Sequence, residues 1–477
     1  MPSASRVFAE LSTSRRPTDP RPIMGRAVVL GASMAGLLAA RVLSDHADEV
    51  VVIERDASDT GYEPRPGVPQ GSQVHALLPA GQVQLERWFP GFAEEVIAAG
   101  AVVPQESGTR MYINDALMPP PPRIEGSGVA LVTTRPFLEA MVRRRVTAID
   151  NIRIVHGRAE GVIFTGDRAT GVRYLPTDES ADAAPVTQTA DLVVDAMGRS
   201  SRLSDWLEEN GWDRPPMRRM PIKLNYATAM FRRDERISDI SVVVSQTRPA
   251  EDRVARIAGI NSVEDDRWIM LISGYADDRP SRDPADFAAR CRRDFPSVFG
   301  DIAEQAEMLG DVITYHQADS RRREFHELTR FPARLVAIGD AVASFNPVYG
   351  QGMTSAALHA SCLSAYLRGE PRLDEPAREY FEKVRVVVDA AWQVSTIADL
   401  ALPHVDGPYP RGYKLISKLG DMVLAMSATD PEMNRRMSLV TTMLAHPSSL
   451  GRPSTLLRAI RLRLLAGLRR RPATAAG

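Results

Sequence analysis

The chain has little cysteine and no long apolar run. Cys291 and Cys362 are the only cysteines among 477 residues, too few for a disulfide framework and too isolated to form a metal site. No apolar segment approaches the length of a bilayer span, and a formal net charge of -1 offers no electrostatic footprint for nucleic acid. These absences predict a protein of the reducing cytoplasm, without a metal and without a nucleic-acid partner.

The length of the chain predicts two or three domains, because a single compact core does not usually grow to 477 residues. Residues 1–22 are polar, contain several prolines and lack the apolar stretch of a secretory signal. We therefore expect this segment to be a disordered leader.

The most informative segment is a strand, a turn and a helix near the beginning of the chain. An apolar run ends at Leu30, and a helix of small residues follows almost at once. The turn between them consists of Gly31, Ala32, Ser33, Met34, Ala35 and Gly36. Such a turn directs free backbone N–H groups and a helix N-terminus at a pyrophosphate. Glu54, at the end of the next apolar run, would then accept hydrogen bonds from ribose hydroxyls, which predicts a dinucleotide-binding βαβ unit.

The glycine pattern of this turn is incomplete. Ser33 occupies the middle glycine position of G-x-G-x-x-G, where the backbone comes closest to the phosphates. The same residues nearly match the G-x-S-x-G nucleophile elbow of hydrolases, with Ala35 in place of its second glycine. From this segment alone, a cofactor site, a serine hydrolase with Ser33 as nucleophile and an ordinary buried turn all remain open.

The hydrophobic pattern changes between about residues 221 and 313. Apolar and polar residues alternate there with period two, which predicts a separate sheet with one packed face. Six side chains on these strands are candidates for the wall of a substrate pocket: Asn225, Tyr226, Thr228, Met230, Trp268 and Met270. Because strand faces alternate, about half of them must point away from any pocket.

A second turn rich in glycine occurs late in the chain. A buried-type strand ends at Gly339 and Asp340, and the segment from Asn346 to Thr354 leads directly into a helix. An aspartate at the carboxyl edge of a sheet would hold the hydroxyls of a ribityl chain. The helix N-terminus, with roughly half a positive charge, would stabilise negative charge on a reduced flavin ring.

These segments together resemble the FAD-dependent aromatic hydroxylase and squalene-epoxidase-like monooxygenases. The resemblance extends from Val28 to about Leu367, and its middle segment, residues 194–201, has Ala-Met-Gly where Ala-Asp-Gly is commoner. The Met353-Thr354 pair looks similar to the matching pair of squalene epoxidases. Residues 66–71, 74–78 and 195–201 look similar to bacterial tailoring flavoenzymes of polyketide pathways, including polyether epoxidases. The same group contains FAD-binding proteins that cyclise polyenes without net redox chemistry.

The resemblance implies a function and a set of cofactor contacts. NADH or NADPH would reduce FAD, O₂ would add at the flavin C4a, and the resulting hydroperoxide would epoxidise or hydroxylate a hydrophobic, polyketide-like substrate. No catalytic residue of the protein is assigned: epoxidation demands none, whereas hydroxylation of a phenol would profit from a base. Arg135 stands where relatives place an arginine near the pyrophosphate. The remaining candidate cofactor-binding residues are Arg55, Val74, Ala196, Pro347, Gly350, Gly352 and Met353.

The predicted fold is mixed α/β, with a Rossmann-like FAD domain, an inserted β-sheet substrate domain and a helical C-terminal region. Residues 23–105, 130–205 and 325–375 are assigned to the FAD domain, 106–129 and 206–324 to the substrate domain, and 376–477 to the helical region. The basic, amphipathic segment 456–471 could rest on a membrane surface. A terminal helix docked on its own domain explains the same pattern and is the preferred interpretation.

Overall fold

The computed structural model describes residues 3–56, 61–120, 122–177, 184–251 and 253–469, with backbone alone from residue 463. The α-helices are α1 (Ala4–Leu11), α2 (Met34–Leu43), α3 (Pro79–Trp88), α4 (Phe92–Ala98), α5 (Arg135–Thr147), α6 (Leu203–Glu209), α7 (Pro284–Asp294), α8 (Ser297–Gln305), α9 (Gln351–Leu367), α10 (Arg378–Asp399), α11 (Tyr413–Ser427), α12 (Pro431–Thr441) and α13 (Pro453–Arg469).

The strands alternate with these helices along the chain. They are β1 (Met24–Leu30), β2 (Ala47–Glu54), β3 (Thr109–Ile113), β4 (Ala116–Leu117), β5 (Ile152–Thr165), β6 (Arg168–Pro176), β7 (Val186–Thr189), β8 (Leu192–Asp195), β9 (Met217–Met220), β10 (Leu224–Arg232), β11 (Val242–Thr247), β12 (Arg256–Val263), β13 (Arg267–Tyr275), β14 (Ile313–Gln317), β15 (Ser320–Arg323), β16 (Leu335–Ala337) and β17 (Ala343–Ser344).

The first sheet carries the turn that follows β1. Its strand order is β16-β8-β1-β2-β5-β6-β7, and the neighbours from β16 to β5 pair in parallel. Leu30, the last residue of β1, pairs with Ile53 on one side and Asp195 on the other. The central strands are buried apolar runs, and they share the main core with residues of α2, α9 and β6. Their carboxyl ends therefore meet at one edge, where ligands of open α/β sheets bind.

The second sheet has the order β14-β10-β13-β12-β11-β3-β4. One of its faces packs against α7 and α8 through a core that includes Trp268, Phe287 and Phe299. Residues of opposite parity on the same strands face the first sheet. The pleat thus divides these strands into a core face and a face that is available to a ligand.

Segments that are distant in sequence complete each sheet. Strands β3 and β4, from the 106–129 segment, join the second sheet beside β11. Strand β16 and helix α9, from the 325–375 segment, belong to the first sheet and its cover. Strands β9, β15 and β17 form a small third sheet. The prediction of a mixed α/β fold is confirmed.

The expectation of a disordered leader is wrong for the part of residues 1–22 that the structure describes. Residues 4–11 form α1, and Phe8 and Leu11 are 1% and 3% exposed in the main core. Ser3 accepts a hydrogen bond from the backbone N–H of Arg6 and so caps the helix. The polar composition concealed two apolar residues one turn apart, which are enough to bind a short helix to a preformed core.

The C-terminal helix α13 packs on α11 and α12. Ala459 is fully buried against Met422 and Met433, and Arg458 forms an ion pair with Asp430 at 2.8 Å. Leu457 and Ile460 remain exposed, and Arg470 and Arg471 of the basic segment lie outside the described residues. Among the helices that the structure describes, none combines the length and apolar character needed to cross a bilayer.

Candidate functional site

A cavity of about 820 Å³ lies between the carboxyl edge of the first sheet and the second sheet. It brings together segments separated by more than 300 residues in sequence, from Gly31 to Ala356. The residues singled out from the sequence that line it are Gly31, Ser33, Met34, Ala35, Glu54, Arg55, Val74, Arg135, Ala196, Tyr226, Asp340, Pro347, Gly350, Gly352 and Met353. The two glycine turns therefore border one continuous space.

The turn after β1 needs glycine at its first and last positions. Gly31 has φ +100°, and a Cβ there would lie 2.7 Å from the carbonyl oxygen of Ala196. A Cβ on Gly36 would lie 1.8 Å from the carbonyl oxygen of Gly31, so this residue allows α2 to pack against the turn. Ser33 has φ -90° and ψ -174°, an extended conformation open to any residue. The serine therefore causes no backbone strain at the middle position.

The Ser33 hydroxyl is engaged in a polar cluster rather than poised for nucleophilic attack. It donates to Glu139 at 2.7 Å and accepts from the guanidinium of Arg135 at 2.9 Å. A serine nucleophile needs a base that takes its proton and, in hydrolases, a strained elbow. The imidazole of His75 contacts Arg135 instead, at 3.4 Å. Ser33 thus lacks the strained elbow and an imidazole partner, and its carboxylate partner Glu139 is held ionised by arginines, which makes it a weak base.

Beneath the turn lies an ion cluster that the sequence analysis missed. Arg65 bonds to Glu139 at 2.5 Å, and the guanidinium of Arg143 donates to the carbonyl of Ala32 at 2.6 Å. Burial opposes ionisation of Glu139, but the charges of Arg135 and Arg65 hold its pKa below the usual range. The spacing of Arg135, Glu139 and Arg143 at i, i+4 and i+8 places them on one helix face and was the available signal.

Glu54 lies at the carboxyl end of β2, where the sequence placed it, and its oxygens already have protein partners. One accepts from the backbone N–H of Ala32 at 2.6 Å and the other from that of Asp56 at 3.0 Å. Arg65 lies 3.3 Å from the same carboxylate. Each oxygen keeps a second lone pair, so contact with a ribose hydroxyl stays a prediction. Arg55 extends into solvent beside it, with 54% of its side chain exposed.

Asp340 presents its carboxylate to the cavity from the turn after β16. No other side chain or backbone group that the structure describes forms a hydrogen bond with it, and burial raises its pKa against the opposing charges of Arg135, Arg199 and Arg323. Nearby, Gly350 adopts the left-handed conformation with φ +66° and caps α9. The first turn of this 17-residue helix therefore faces the cavity with free N–H groups, close to a carboxylate that lacks a donor.

The face of the second sheet forms the opposite wall and is largely apolar. It includes Val242, Ile257 and Leu271, together with the adjacent rings of Tyr226 and Tyr315, whose centroids are 5.4 Å apart. Burial raises the pKa of both tyrosines, so their phenols remain protonated at neutral pH.

Of the six pocket candidates on these strands, only Tyr226 lines the cavity. Placing Trp268 and Met270 there was wrong, because both pack with α7 and α8 in the core on the other face. Asn225 shares that parity and bonds to the carbonyl of Ala276 at 3.0 Å. Thr228 and Met230 share the parity of Tyr226 but do not line the cavity. The Thr228 hydroxyl donates to the side-chain oxygen of Gln73 at 2.5 Å, and Met230 packs against a small apolar cluster outside the cavity lining.

His75 borders the cavity as a neutral imidazole. Its Nδ1 donates to the carbonyl of Gln73 at 2.9 Å, which leaves the Nε2 lone pair toward Arg135. Burial and the charge of Arg135 lower the pKa of His75 to about 3. An imidazole with so low a pKa is a weak base for a substrate proton.

The fold of the chain is shared with several solved flavoproteins. The flavin-dependent brominase Bmp2 superimposes with a TM-score of 0.64 at 15% identity, over 93% of this chain and all of the other. A flavoprotein/dehydrogenase from Cytophaga hutchinsonii gives 0.64 at 14% identity, over 93% and 98%. The p-nitrophenol 4-monooxygenase PnpA from Pseudomonas putida DLL-E4 gives 0.60 at 15% identity, over 89% and 99%. At these identities the likeness shows the fold alone, and it confirms the predicted architecture.

One relative is considerably closer in sequence than these structures. Protein Rv3254 of Mycobacterium tuberculosis (strain ATCC 25618 / H37Rv) is 33% identical over 439 residues, which cover 88% of this chain and 91% of the relative. No family model matches the chain. The chain thus has the fold of FAD-binding monooxygenases and belongs to the same family as Protein Rv3254.

Proposed function

We propose that the protein is an FAD-dependent monooxygenase that transfers one oxygen atom of O₂ to a neutral, hydrophobic small molecule, with NADH or NADPH as reductant. The observation that carries this proposal is the continuity of one cavity. It extends from the glycine turn after β1, past Asp340 and the start of α9, to the apolar face of the second sheet. An extended dinucleotide needs polar contacts at separated points, and its reactive end must meet the substrate.

The residues around the cavity fit FAD. The turn at Gly31 and the guanidinium of Arg135 suit a pyrophosphate, because backbone N–H groups and a planar cation both bind phosphate oxygens. The carboxylate of Asp340, which lacks a donor among the described residues, suits ribityl hydroxyls. The N-terminus of α9 suits the electron-rich edge of a reduced flavin.

FAD supplies the hydride acceptance and oxygen activation that no side chain of the protein offers. The chain itself orients both partners and keeps water away. The apolar wall around Leu271 would hold the substrate by burial, and Pro347 and Val348 line the same cavity. The phenols of Tyr226 and Tyr315 stay protonated and can donate hydrogen bonds to a neutral polar group of the substrate.

Epoxidation of an alkene is the favoured reaction. Hydroxylation of a phenol profits from a base that forms the phenolate. The apolar wall holds neither a carboxylate nor an imidazole among its described residues, and the pKa of His75, beside it, is about 3. Epoxidation needs no such base. A polyene or polyketide of secondary metabolism is therefore the substrate class that we propose.

The visible spectrum of the purified protein provides the first test. We expect the absorbance bands of bound FAD, and we expect Asp340→Ala to weaken FAD retention by about 10-fold or more, since it removes a charged hydrogen-bond acceptor. Asp374→Ala, which removes an exposed carboxylate that does not line the cavity, is the matched control and should retain FAD as the wild type does. A protein that takes up no FAD, even when FAD is added, would refute the proposal.

Turnover then separates the related activities. With a polyene probe, NADPH and ¹⁸O₂, we expect one labelled oxygen atom in the product and NADPH consumption that depends on the probe. The likeness in fold also accommodates a redox-neutral cyclase, which would bind FAD yet form an isomer of the probe without consuming NADPH. Labelling of Ser33 by a fluorophosphonate in a colourless protein would instead support the hydrolase.

A further inference from the structure

A buried histidine lies directly behind the turn that carries Asp340. The backbone N–H of Gly339 donates to Nδ1 of His359 at 3.0 Å. His359 belongs to α9 and is 0% exposed, so it cannot contact a ligand in the cavity. This single hydrogen bond joins the helix to the residue that precedes the cavity-facing carboxylate.

The hydrogen bond defines the tautomer of the imidazole. Because Nδ1 accepts, the ring proton resides on Nε2, which lies 3.4 Å from the hydroxyl oxygen of Ser355 one helical turn earlier. Burial lowers the pKa of His359 to about 3, which keeps Nδ1 an acceptor at neutral pH. The ring is thus a permanent, oriented acceptor for one backbone N–H group.

The turn at Gly339 is closed by the N–H of Val342, which donates to the Gly339 carbonyl at 2.9 Å, but the Gly339 N–H itself has the His359 imidazole as its partner. Gly339 has φ +62°, and a Cβ there would lie 2.5 Å from the Cβ of Ala35 in the first glycine turn. The backbone N–H of the preceding residue, Ile338, donates to the carbonyl of Asp195 at 2.9 Å, which anchors the turn to strand β8. On the other side, the Gly339 N–H would be buried without a partner if the imidazole were absent, a costly condition that a shift of the turn would relieve.

We propose that His359 is a positioning residue for the cofactor: through the Gly339 N–H it holds the Asp340 carboxylate at the cavity. Gly350 and Gly352 lie at the start of the same helix and border the cavity. Helix α9 would therefore align two contacts with the cofactor, its own first turn and, through His359, the Asp340 carboxylate. The inference rests on the proposed binding of FAD. It assigns a role in FAD binding to a buried residue that does not itself contact the cofactor.

A double-mutant cycle with Asp340 tests the proposal. FAD dissociation constants are measured by fluorescence quenching on FAD-free wild type, His359→Leu, Asp340→Asn and the double variant. We expect His359→Leu and Asp340→Asn each to weaken binding by about 10-fold, and the double variant by little more than either one, because both act through the same carboxylate. A merely structural role would make the two losses multiply.

Two further variants serve as rescue and control. Asn at position 359 places an amide oxygen near the site of Nδ1, so His359→Asn should recover FAD affinity to within about 3-fold of wild type. His46 is another buried histidine, with Nδ1 3.2 Å from the carbonyl of Arg21, and it does not line the cavity. His46→Leu should therefore leave the FAD affinity unchanged.

The outcomes distinguish this inference from the proposed function. Wild type that binds no FAD refutes the function itself. Wild type that binds FAD, with multiplicative losses in the cycle or with an equal loss in His46→Leu, refutes only the role of His359. If His359→Leu does not fold, Ser355→Ala takes its place in the cycle, because it removes only the Nε2 partner. We then expect Ser355→Ala to weaken FAD binding by about 3-fold in the wild-type background and to have no effect in the Asp340→Asn background. An FAD affinity that Ser355→Ala leaves unchanged in the wild-type background refutes the role of His359.

Discussion

Three glycine substitutions separate contacts with the cofactor from contacts within the protein. Gly352 is the second residue of α9, and a Cβ there would meet no protein atom within 4 Å because it would project into the cavity. Gly352→Ala should therefore leave the FAD-free protein as stable as wild type, or up to about 1 kcal/mol more stable through helix propensity. If the flavin packs against this turn, the added methyl group should weaken FAD binding by about 10- to 100-fold, the cost of overpacking a filled site.

Gly36 and Gly420 provide the two contrasts. A Cβ on Gly36 would lie 1.8 Å from a backbone oxygen, against the 3.0 Å that real Cβ atoms keep, so α2 must move by at least the 1.2 Å difference. Gly36→Ala should lower the free energy of unfolding by about 3 kcal/mol, the upper end of overpacking costs, and weaken FAD binding as well. Gly420 lies in α11 with no atom within 4 Å of a Cβ, so Gly420→Ala should change only helix propensity.

The assay measures both quantities on the same preparations. Urea unfolding of FAD-free protein gives the stability, and titration with FAD gives the dissociation constant. Equal FAD affinity of Gly352→Ala and wild type would refute the reasoning, because it would show that the flavin does not approach the first turn of α9. Instability of FAD-free Gly352→Ala would refute it differently, by showing that the space around the glycine is required by the protein itself.

The remaining predictions concern the ion cluster, the buried histidine and the two faces of the second sheet. Glu139→Gln should lower the free energy of unfolding by about 3–5 kcal/mol, since it removes the carboxylate that pairs with the buried guanidinium groups of Arg65, Arg135 and Arg143. A loss below about 1 kcal/mol in urea unfolding would contradict this. The pKa of His359 is about 3 when folded and 6.5 when unfolded, so only the unfolded chain gains this proton as the pH falls below 6.5. The contribution of His359 to the free energy of unfolding should therefore fall by about 1.6 kcal/mol between pH 6.5 and 5, and His359→Asn should abolish that part of the pH dependence. Trp268→Ala should lower the free energy of unfolding by about 3–5 kcal/mol without changing FAD affinity. Leu271→Ala should lower it by less and should alter the binding of hydrophobic probes, as measured by the perturbation of the flavin spectrum. Weaker FAD binding by the folded Trp268→Ala variant would contradict the assignment of the two faces.

The local sequence pattern was sufficient to predict the structure where a single short segment forms both the secondary structure and the binding turn. The apolar run, the glycine turn and the helix of small residues predict β1 and α2 with the turn at the sheet edge, because the backbone geometry of such a turn depends on residues only a few positions apart. The same holds for Gly350 and the start of α9. Alternation also revealed the second sheet.

Local pattern failed where the decision depended on a distant partner. Alternation shows that Tyr226 and Trp268 lie on strands with two different faces, but not which face meets α7 and α8. The polar composition of residues 1–22 predicts disorder, yet Phe8 packs in a core that residues much later in the chain provide.

The sequence by itself determined β1, α2, the second sheet and the two glycine turns, with the class of ligand that such turns bind, because propensity, φ requirements and hydrophobic period are local properties of the chain. Only the tertiary structure decided that both turns border one cavity, that Glu139 and three arginines support the first turn, and that His359 lies behind Asp340. These arrangements depend on packing between segments far apart in sequence, and the free energy of that packing is distributed over contacts that no single segment contains.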